Sequence, residues 1–180
     1  MSSRSRRPRE RRIGEQHLQQ QTGHLLSAII TEASGESTRD FADKHLFEPL
    51  GIQAADWFQS PEGFYRGSNA LYLTSRDIAR YANLYLSKGR LAGQQIVSES
   101  WIEKSLSVRE EVNLRVNDRL VIDGVGYSWL HGAVNGCEVF IAGDMNGVFI
   151  VNIPSTNTSI VTTRFKVDDY LRIEALICDI

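Results

Sequence analysis

The clearest periodicity in the chain lies between Leu73 and Leu86. Ile78, Ala82 and Tyr85, joined by Tyr81 and Leu86, recur at three- and four-residue spacing, while Arg76, Arg80 and Asn83 fall elsewhere around the axis. This is the pattern of an amphipathic helix. Thr74 supplies an N-cap, Asp77 can reach back to it from three residues on, and Leu73 and Ile78 stand at the hydrophobic-staple positions, so the helix starts at Ser75. Gly89 stops it. A short strand is expected before the helix and a turn over residues 90–95 after it. Ser98 or Ser100 then caps a second helix that buries Trp101, Ile102 and Leu106.

Upstream, Leu25, Leu26, Ile29, Ile30 and Ala33 form a helical stripe closed by Gly35. Ser37 with Asp40 caps a following helix in which Phe41, Ala42, His45 and Leu46 share a face, ended by Pro49 and Gly51. Residues 53–70 predict an irregular loop with Trp57 as its anchor and a turn at Pro61-Glu62-Gly63. Downstream, strands are expected at Val112–Val116 and Leu120–Val125 around an Asn117-Asp118 turn, then at Gly126–His131. A hairpin signal follows at Asn135-Gly136, with further strands at Glu138–Ala142, Gly147–Ile153 and Ser159–Phe165. Asp168 caps a last helix carrying Tyr170, Leu171, Ile173, Leu176 and Ile177, expected to cover one sheet face. Helices, then an antiparallel meander, then a helix predict an α+β fold, an antiparallel β-sheet packed with helices.

Composition changes this picture only at the N-terminus. The chain has 180 residues, 42% hydrophobic and 23% charged, enough for one globular domain with a core. Residues 1–12 hold six arginines against Glu10, and residues 1–21 as a whole add a proline and a glutamine run, with too few apolar groups to offset ordering entropy. They are expected to form a disordered basic tail, with residues 22–180 as the domain. Such a tail can neutralise phosphates, but it interleaves no aromatic residues, so nucleic acid is not the expected partner. Cys137 and Cys178 show no paired spacing and read as free thiols or core residues. No apolar run is long enough for a membrane helix, and no apolar segment of a secretory signal is present. The default expectation is a cytoplasmic chain with no membrane contact, the tail leaving the compartment open.

Three phrases are more specific than periodicity: Leu46-Phe47-Glu48-Pro49-Leu50-Gly51-Ile52, Leu73-Thr74-Ser75-Arg76-Asp77-Ile78-Ala79-Arg80 and Gln95-Ile96-Val97-Ser98-Glu99-Ser100-Trp101. With them the chain resembles, over roughly residues 22 to 165, the serine hydrolases of the class C β-lactamase and penicillin-binding-protein superfamily. The esterase and 6-aminohexanoate-dimer-hydrolase branch looks nearest. The resemblance implies the C-terminal part of a β-lactamase/transpeptidase-like fold. It also implies acyl-transfer hydrolysis of a small-molecule amide, ester or lactam without cofactor or metal, for a complete protein.

The chemistry of that family needs a serine in Ser-x-x-Lys, where a lysine one helical turn on eases deprotonation of the hydroxyl. Here the residues three before Lys44, Lys88, Lys104 and Lys166 are Phe41, Tyr85, Trp101 and Thr163, so the motif is absent. The family's tyrosine element would fall near His17-Leu18-Gln19-Gln20, which has no tyrosine. Tyr81-Ala82-Asn83 lies inside a helix, where residues two apart diverge by about 200° and cannot converge on a substrate. The third element, a strand-borne Ala-x-Gly followed by Gly-Gly-Gln, matches Ala142-Gly143-Asp144-Met145-Asn146-Gly147-Val148 in degenerate form. The resemblance implies substrate contact at Ala142, Gly143, Asp144 and Met145, with the Met145 amide as oxyanion donor. The Asp144 carboxylate would work against that role, and a plain hairpin turn is the alternative.

Gly126-Tyr127-Ser128-Trp129-Leu130 begins like a nucleophile elbow without its closing glycine, so Ser128 is expected to be structural. His131, Cys137, Glu138 and Asp144 lack metal-ligand spacing. The expectation is a hydrolase portion that is inactive alone and needs the missing N-terminal half or a partner chain to cover its core. The alternative is a degenerate non-catalytic binding module.

Overall fold

A computed structural model describes residues 22–116, 118–143 and 147–163. The chain divides into two compact units, Met1–Leu73 and Thr74–Ile180. The helix expected from Asp168 and the turn residue Asn117 lie outside the described residues.

In the first unit, residues 22–34 are helical (α1) and the helix ends at Gly35, whose N–H donates to the Thr31 carbonyl. Its buried side is polar. The Ser27 hydroxyl donates to Thr38 Oγ1 at 2.8 Å, Thr38 Oγ1 donates back to the Ser27 carbonyl at 2.7 Å, and Thr31 and Thr38 hydroxyls lie 3.0 Å apart. Three residues of the expected apolar stripe face outward, with Leu25, Leu26 and Ile29 exposed by 60%, 55% and 51%.

Ser37 caps the next helix as expected, its hydroxyl accepting from the Asp40 N–H. The helix then departs from the predicted face. It runs as α2 (Thr38–Ala42), widens into a π-helical turn at Asp43–Phe47, and closes as α3 (Glu48–Leu50). The wider turn rotates the register, so Phe47 and Leu50 are buried while His45 is exposed and Leu46 only partly covered. Pro49 does not end the helix: it lies within α3, directly after the π-helical turn. Gly51, left-handed at φ 65°, is the true stop. Within residues 53–70 the structure adds a short strand, β1 (Asp56–Trp57), paired with β2 (Leu71–Tyr72). Trp57 anchors this loop: its ring lies 6.3 Å from Phe47 and 5.5 Å from Tyr65, and its indole N–H donates to the Arg66 carbonyl.

In the second unit, α4 (Ser75–Leu86) has the complete predicted cap, with Thr74 Oγ1 accepting from the Asp77 N–H and Asp77 accepting from the Thr74 N–H. Gly89 is required where it stands, because a Cβ there would lie 1.9 Å from the Val97 carbonyl oxygen. Residues 90–95 form a small hairpin, β3 (Arg90–Leu91) with β4 (Gln94–Gln95), and Ser98 is the residue that caps α5 (Glu99–Leu106). Trp101, expected on the buried side of α5, is 45% exposed.

Six antiparallel strands follow: β5 (Glu110–Arg115), β6 (Leu120–Val125), β7 (Leu130–Val134), β8 (Cys137–Gly143), β9 (Phe149–Ile153) and β10 (Thr158–Thr162). They form one sheet ordered β10-β9-β8-β7-β6-β5, an unbroken meander. The α+β class is thus observed. The strand expected at Gly126–His131 begins only at Leu130, since Ser128 adopts φ 63° and the Gly126 N–H donates to the Trp129 carbonyl, closing a turn there.

One sheet face carries Leu120, Ile122, Val134, Val139, Ile141, Phe149, Val151 and Ile153. The other meets α4 through Ala82, Trp129 and Ile150, with Ile78, Tyr81, Tyr85, Phe140, Ala142 and Val161 packed around them. The predicted α4 stripe is therefore covered by the sheet. A buried Asn152 sits at the centre of this seam, donating from Nδ2 to the Ala82 carbonyl at 3.1 Å and accepting the Ser159 hydroxyl at 2.6 Å. Among the described residues, no helix is long and apolar enough to cross a membrane.

Replacing Asn152 with Ala should leave Ser159 without its acceptor and a void beside Ala82, costing roughly 1–3 kcal/mol. Ser159→Ala should cost less, since the amide keeps the helix contact; urea unfolding of both variants checks the order. Asp77 is buried beside Arg80 at 2.7 Å, and its carboxyl is held below the ordinary range first by the Thr74 hydroxyl, against the cost of burial. Its contribution is therefore present above the ordinary carboxylate pKa and lost as pH falls through the depressed value. Asp77→Ala should cost about 1 kcal/mol near neutral pH and show a shallower loss of stability on acidification, read from denaturation midpoints across a pH series.

Candidate functional site

The expected substrate strand is β8, and its end meets several other elements. Gly143, its last residue, pairs with Phe149, the first of β9, and Phe149 pairs in turn with Thr162 at the end of β10. Ser75, opening α4, brings its hydroxyl to 3.5 Å from Thr163 Oγ1, and Thr162 Oγ1 donates to the Gly147 carbonyl at 3.4 Å. One end of the sheet therefore gathers the tip of β8, the start of β9, the end of β10 and the first turn of α4.

Ala142 and Gly143 take different roles there. Ala142 faces the α4 side and packs in the aromatic layer, opposite Ile150. Gly143 faces the other way, where a Cβ would fall 2.2 Å from Phe149 Cδ1 and 2.6 Å from the Val148 carbonyl oxygen. Glycine is needed because the Phe149 ring lies against the strand. Asp144 and Met145, and with them the proposed oxyanion amide, lie outside the described residues, as does Asn146. Phe149, Thr162 and Ser75 were not legible as neighbours of this site. A glycine placed before a bulky strand opener was the available signal.

The floor on the α4 side is aromatic. Tyr85 lies 4.5 Å from Trp129 and 5.4 Å from Tyr81, and the Tyr81 hydroxyl donates to Tyr85 Oη at 3.3 Å. Burial, and then Tyr85, push the Tyr81 phenol well above its ordinary pKa. It stays neutral and acts as core, as its place in the helix predicts. At this end of α4 the Asp77 N–H donates to Thr74 Oγ1, and the Asp77 carboxylate adds negative charge that works against an anion at the helix terminus.

The remaining polar candidates are placed apart from that end or already engaged. His131, on β7, is held at both ring nitrogens: Nδ1 is 2.6 Å from Asp123 Oδ1 on β6 and Nε2 is 3.0 Å from Glu138 Oε1 on β8. Its ring also meets Phe140 edge-on at 5.1 Å. A histidine so bracketed is a three-strand clamp, with no nitrogen left to activate a nucleophile. Cys137 is an exposed free thiol at the start of β8. His45 is exposed and packs on Phe41 at 4.6 Å. Ser128 occupies the left-handed turn before Trp129. Among the described residues, no group of three His, Cys, Asp or Glu side chains is arranged to hold a metal ion.

Comparison with known proteins bears on this architecture. Residues 2–169 match the family model described as Beta-lactamase. Among solved structures, a protein assigned as a 6-aminohexanoate-dimer hydrolase from Bacillus anthracis superposes with a TM-score of 0.60 at 20% identity, over 86% of this chain and 42% of that one. A penicillin-binding protein homolog from Caulobacter crescentus gives 0.59 at 16% identity, over 79% of this chain and 50% of that one. A β-lactamase from Mycobacterium bovis gives 0.57 at 17% identity, over 87% and 60%. At these identities the likeness establishes the fold, a β-lactamase/transpeptidase-like α+β arrangement. The chain spans about half the length of these structures. No curated protein matches the sequence.

The clamp has a pH signature. Burial by itself would lower the His131 pKa, but the hydrogen bonds and charges of Asp123 and Glu138 outweigh it and raise it. The stabilisation is fully present below the unfolded value of about 6.5 and is lost as pH rises through the raised folded value. His131→Gln should remove this alkaline loss, a change visible in unfolding midpoints measured from acid to mildly alkaline pH. An unchanged pH dependence would show that the clamp contributes nothing.

Proposed function

The chain belongs to the β-lactamase family, and from that premise we propose that residues 22–163 form the sheet-and-helix portion of a serine hydrolase acting on an amide, ester or lactam bond by acyl transfer. In this reading the end of β8 contributes substrate contacts, from Ala142 and Gly143 on into Asp144 and Met145, and the Met145 amide is the donor to a developing oxyanion. The observation that carries the reading is the register of β8 against β9. It runs without a break to Gly143↔Phe149 and sends the chain round at the same sheet end as the first turn of α4.

The nucleophile is the missing part. None of the four lysines follows a serine by three positions, and the tyrosine that would assist is absent from the matching position. An oxyanion donor alone polarises a carbonyl but supplies no attacking group, so these 180 residues are catalytically silent by themselves. The segment bearing Ser-x-x-Lys would have to come from elsewhere. The exposed Leu25, Leu26 and Ile29 stripe of α1 supports that arrangement, because it is the kind of apolar face a further helical layer covers.

A chromogenic lactam, p-nitrophenyl esters and a fluorophosphonate probe should all give blank results with the chain alone. Stoichiometric labelling of any serine, Ser128 included, would sink the proposal.

A further inference from the structure

One row of residues crosses the sheet from β6 to β10 and joins the His131 clamp to the buried Asn152 amide. The register pairs Gly124 of β6 with His131 of β7, His131 with Phe140 of β8, Phe140 with Asn152 of β9, and Asn152 with Ser159 of β10. Side chains directly opposite in neighbouring strands share a face. For this row it is the face on which α4 lies, since Asn152 bonds the Ala82 carbonyl and Phe140 packs in the Ala82/Trp129/Ile150 layer. Phe140 stands between the two polar groups, its ring meeting His131 edge-on at 5.1 Å and its β-carbon within about 5.5 Å of that of Asn152.

The His131 end of the row is complete in one protonation state only. Asp123 Oδ1 lies 2.6 Å from Nδ1 and Glu138 Oε1 lies 3.0 Å from Nε2, so both ring nitrogens face carboxylate acceptors. An imidazolium has two N–H groups and satisfies both. A neutral imidazole has one, and its bare nitrogen then faces a carboxylate oxygen. The N–H that stays is the one on the shorter bond, to Asp123, and the Glu138 arm lets go. Glu138 precedes Phe140 by two residues on the same face of β8, so the strand loses its side-chain tie to β7 beside the ring that carries the row. The groups acting on the charge of His131 are Asp123 from β6 and Glu138 from β8; β7 adds no other charged side chain, and α4 brings the phenols Tyr81 and Tyr85 to the layer.

We propose that the proton on His131 controls how firmly α4 is seated, acting along this row through Phe140 on the Asn152 amide. With the proton in place, Phe140 is held from the β7 side and closes one flank of Asn152, which keeps its bonds to Ala82 and Ser159. Without it, Phe140 gains freedom and the seam under α4 loosens. This lock uses only side chains packed within the sheet and against α4.

The test reads coupling. His131 and Asn152 lie two strands apart, about 10 Å, a separation at which substitutions with no shared partner add. In urea unfolding of the full chain at about pH 5, His131→Gln and Asn152→Ala should be non-additive by at least about fivefold in the unfolding constant. Phe140→Leu should bring that cycle close to additive, and so should raising the pH to about 9 with Phe140 present. Near-ultraviolet circular dichroism gives a readout that needs no core variant: the aromatic signal should move with the ring protons of His131 in a magnetic resonance titration, and not at all in His131→Gln. Asp123→Asn, on the exposed arm, should shift both midpoints to lower pH together. Far-ultraviolet circular dichroism checks the fold of each variant. An additive cycle at about pH 5, coupling that survives Phe140→Leu, or an aromatic signal that stays flat while His131 titrates overturns the proposal. None of these readouts involves hydrolysis, so the lock and the acyl-transfer reading can fail separately.

Discussion

The second unit is organised around one buried amide. Asn152 lies on β9, every residue of which is buried, and its side chain joins the Ala82 carbonyl on α4 to the Ser159 hydroxyl on β10. An amide in that setting is stabilising only when its polar atoms are satisfied, because an orphaned buried donor or acceptor costs roughly 1–3 kcal/mol. The bond therefore fixes where along the sheet the helix can sit. A slide of one helical residue, about 1.5 Å, would break it. Ala82, fully buried, is small enough to let the helix backbone approach the amide.

The position of α4 then determines the rest of that face. Tyr81 and Tyr85 are carried onto Trp129 and Phe140, and Ala142 is enclosed in the same layer. Ser75 is brought to the end of β10, so the sheet end where β8 turns into β9 is bounded by a helix start as well as by strands. On the far strands a different device does similar work, with His131 bridging β6 and β8 through Asp123 and Glu138. Trp101 and Tyr127 stack at 5.7 Å, Lys104 lies over the Trp101 ring and Arg109 over the Tyr127 ring, and the Tyr127 N–H donates to the Ser105 carbonyl, tying α5 to the turn before β7.

The first unit shows the opposite disposition of polar and apolar groups. Helix α1 turns Ser27 and Thr31 inward to Thr38 and leaves Leu25, Leu26 and Ile29 to solvent. At about 25 cal/mol per Å² of apolar surface, three such side chains represent a few kcal/mol available to whatever covers them.

The sequence by itself determined the elements whose signals are local. The Thr74/Asp77 capping box, the stop at Gly89, the Ser37 and Ser98 caps and the order of strands from residue 110 onward depend on backbone groups only a few positions apart, and they were legible for that reason. The family phrases were legible too, as was the absence of Ser-x-x-Lys. The buried side of α4 was legible as well, but for other elements tertiary structure decided which side is inside. The outward stripe of α1 is apolar and its inward face polar, a choice set by Thr38 eleven residues on. The π turn at Asp43–Phe47 rotated the predicted face of its helix, and Ser128 cut short a strand that alternation extended. The buried amide of Asn152 and the clamp on His131 each depend on partners that the sheet register brings together. Periodicity records how often a side chain returns to one face. Which face is covered depends on residues distant in the chain, and the fold brings those together.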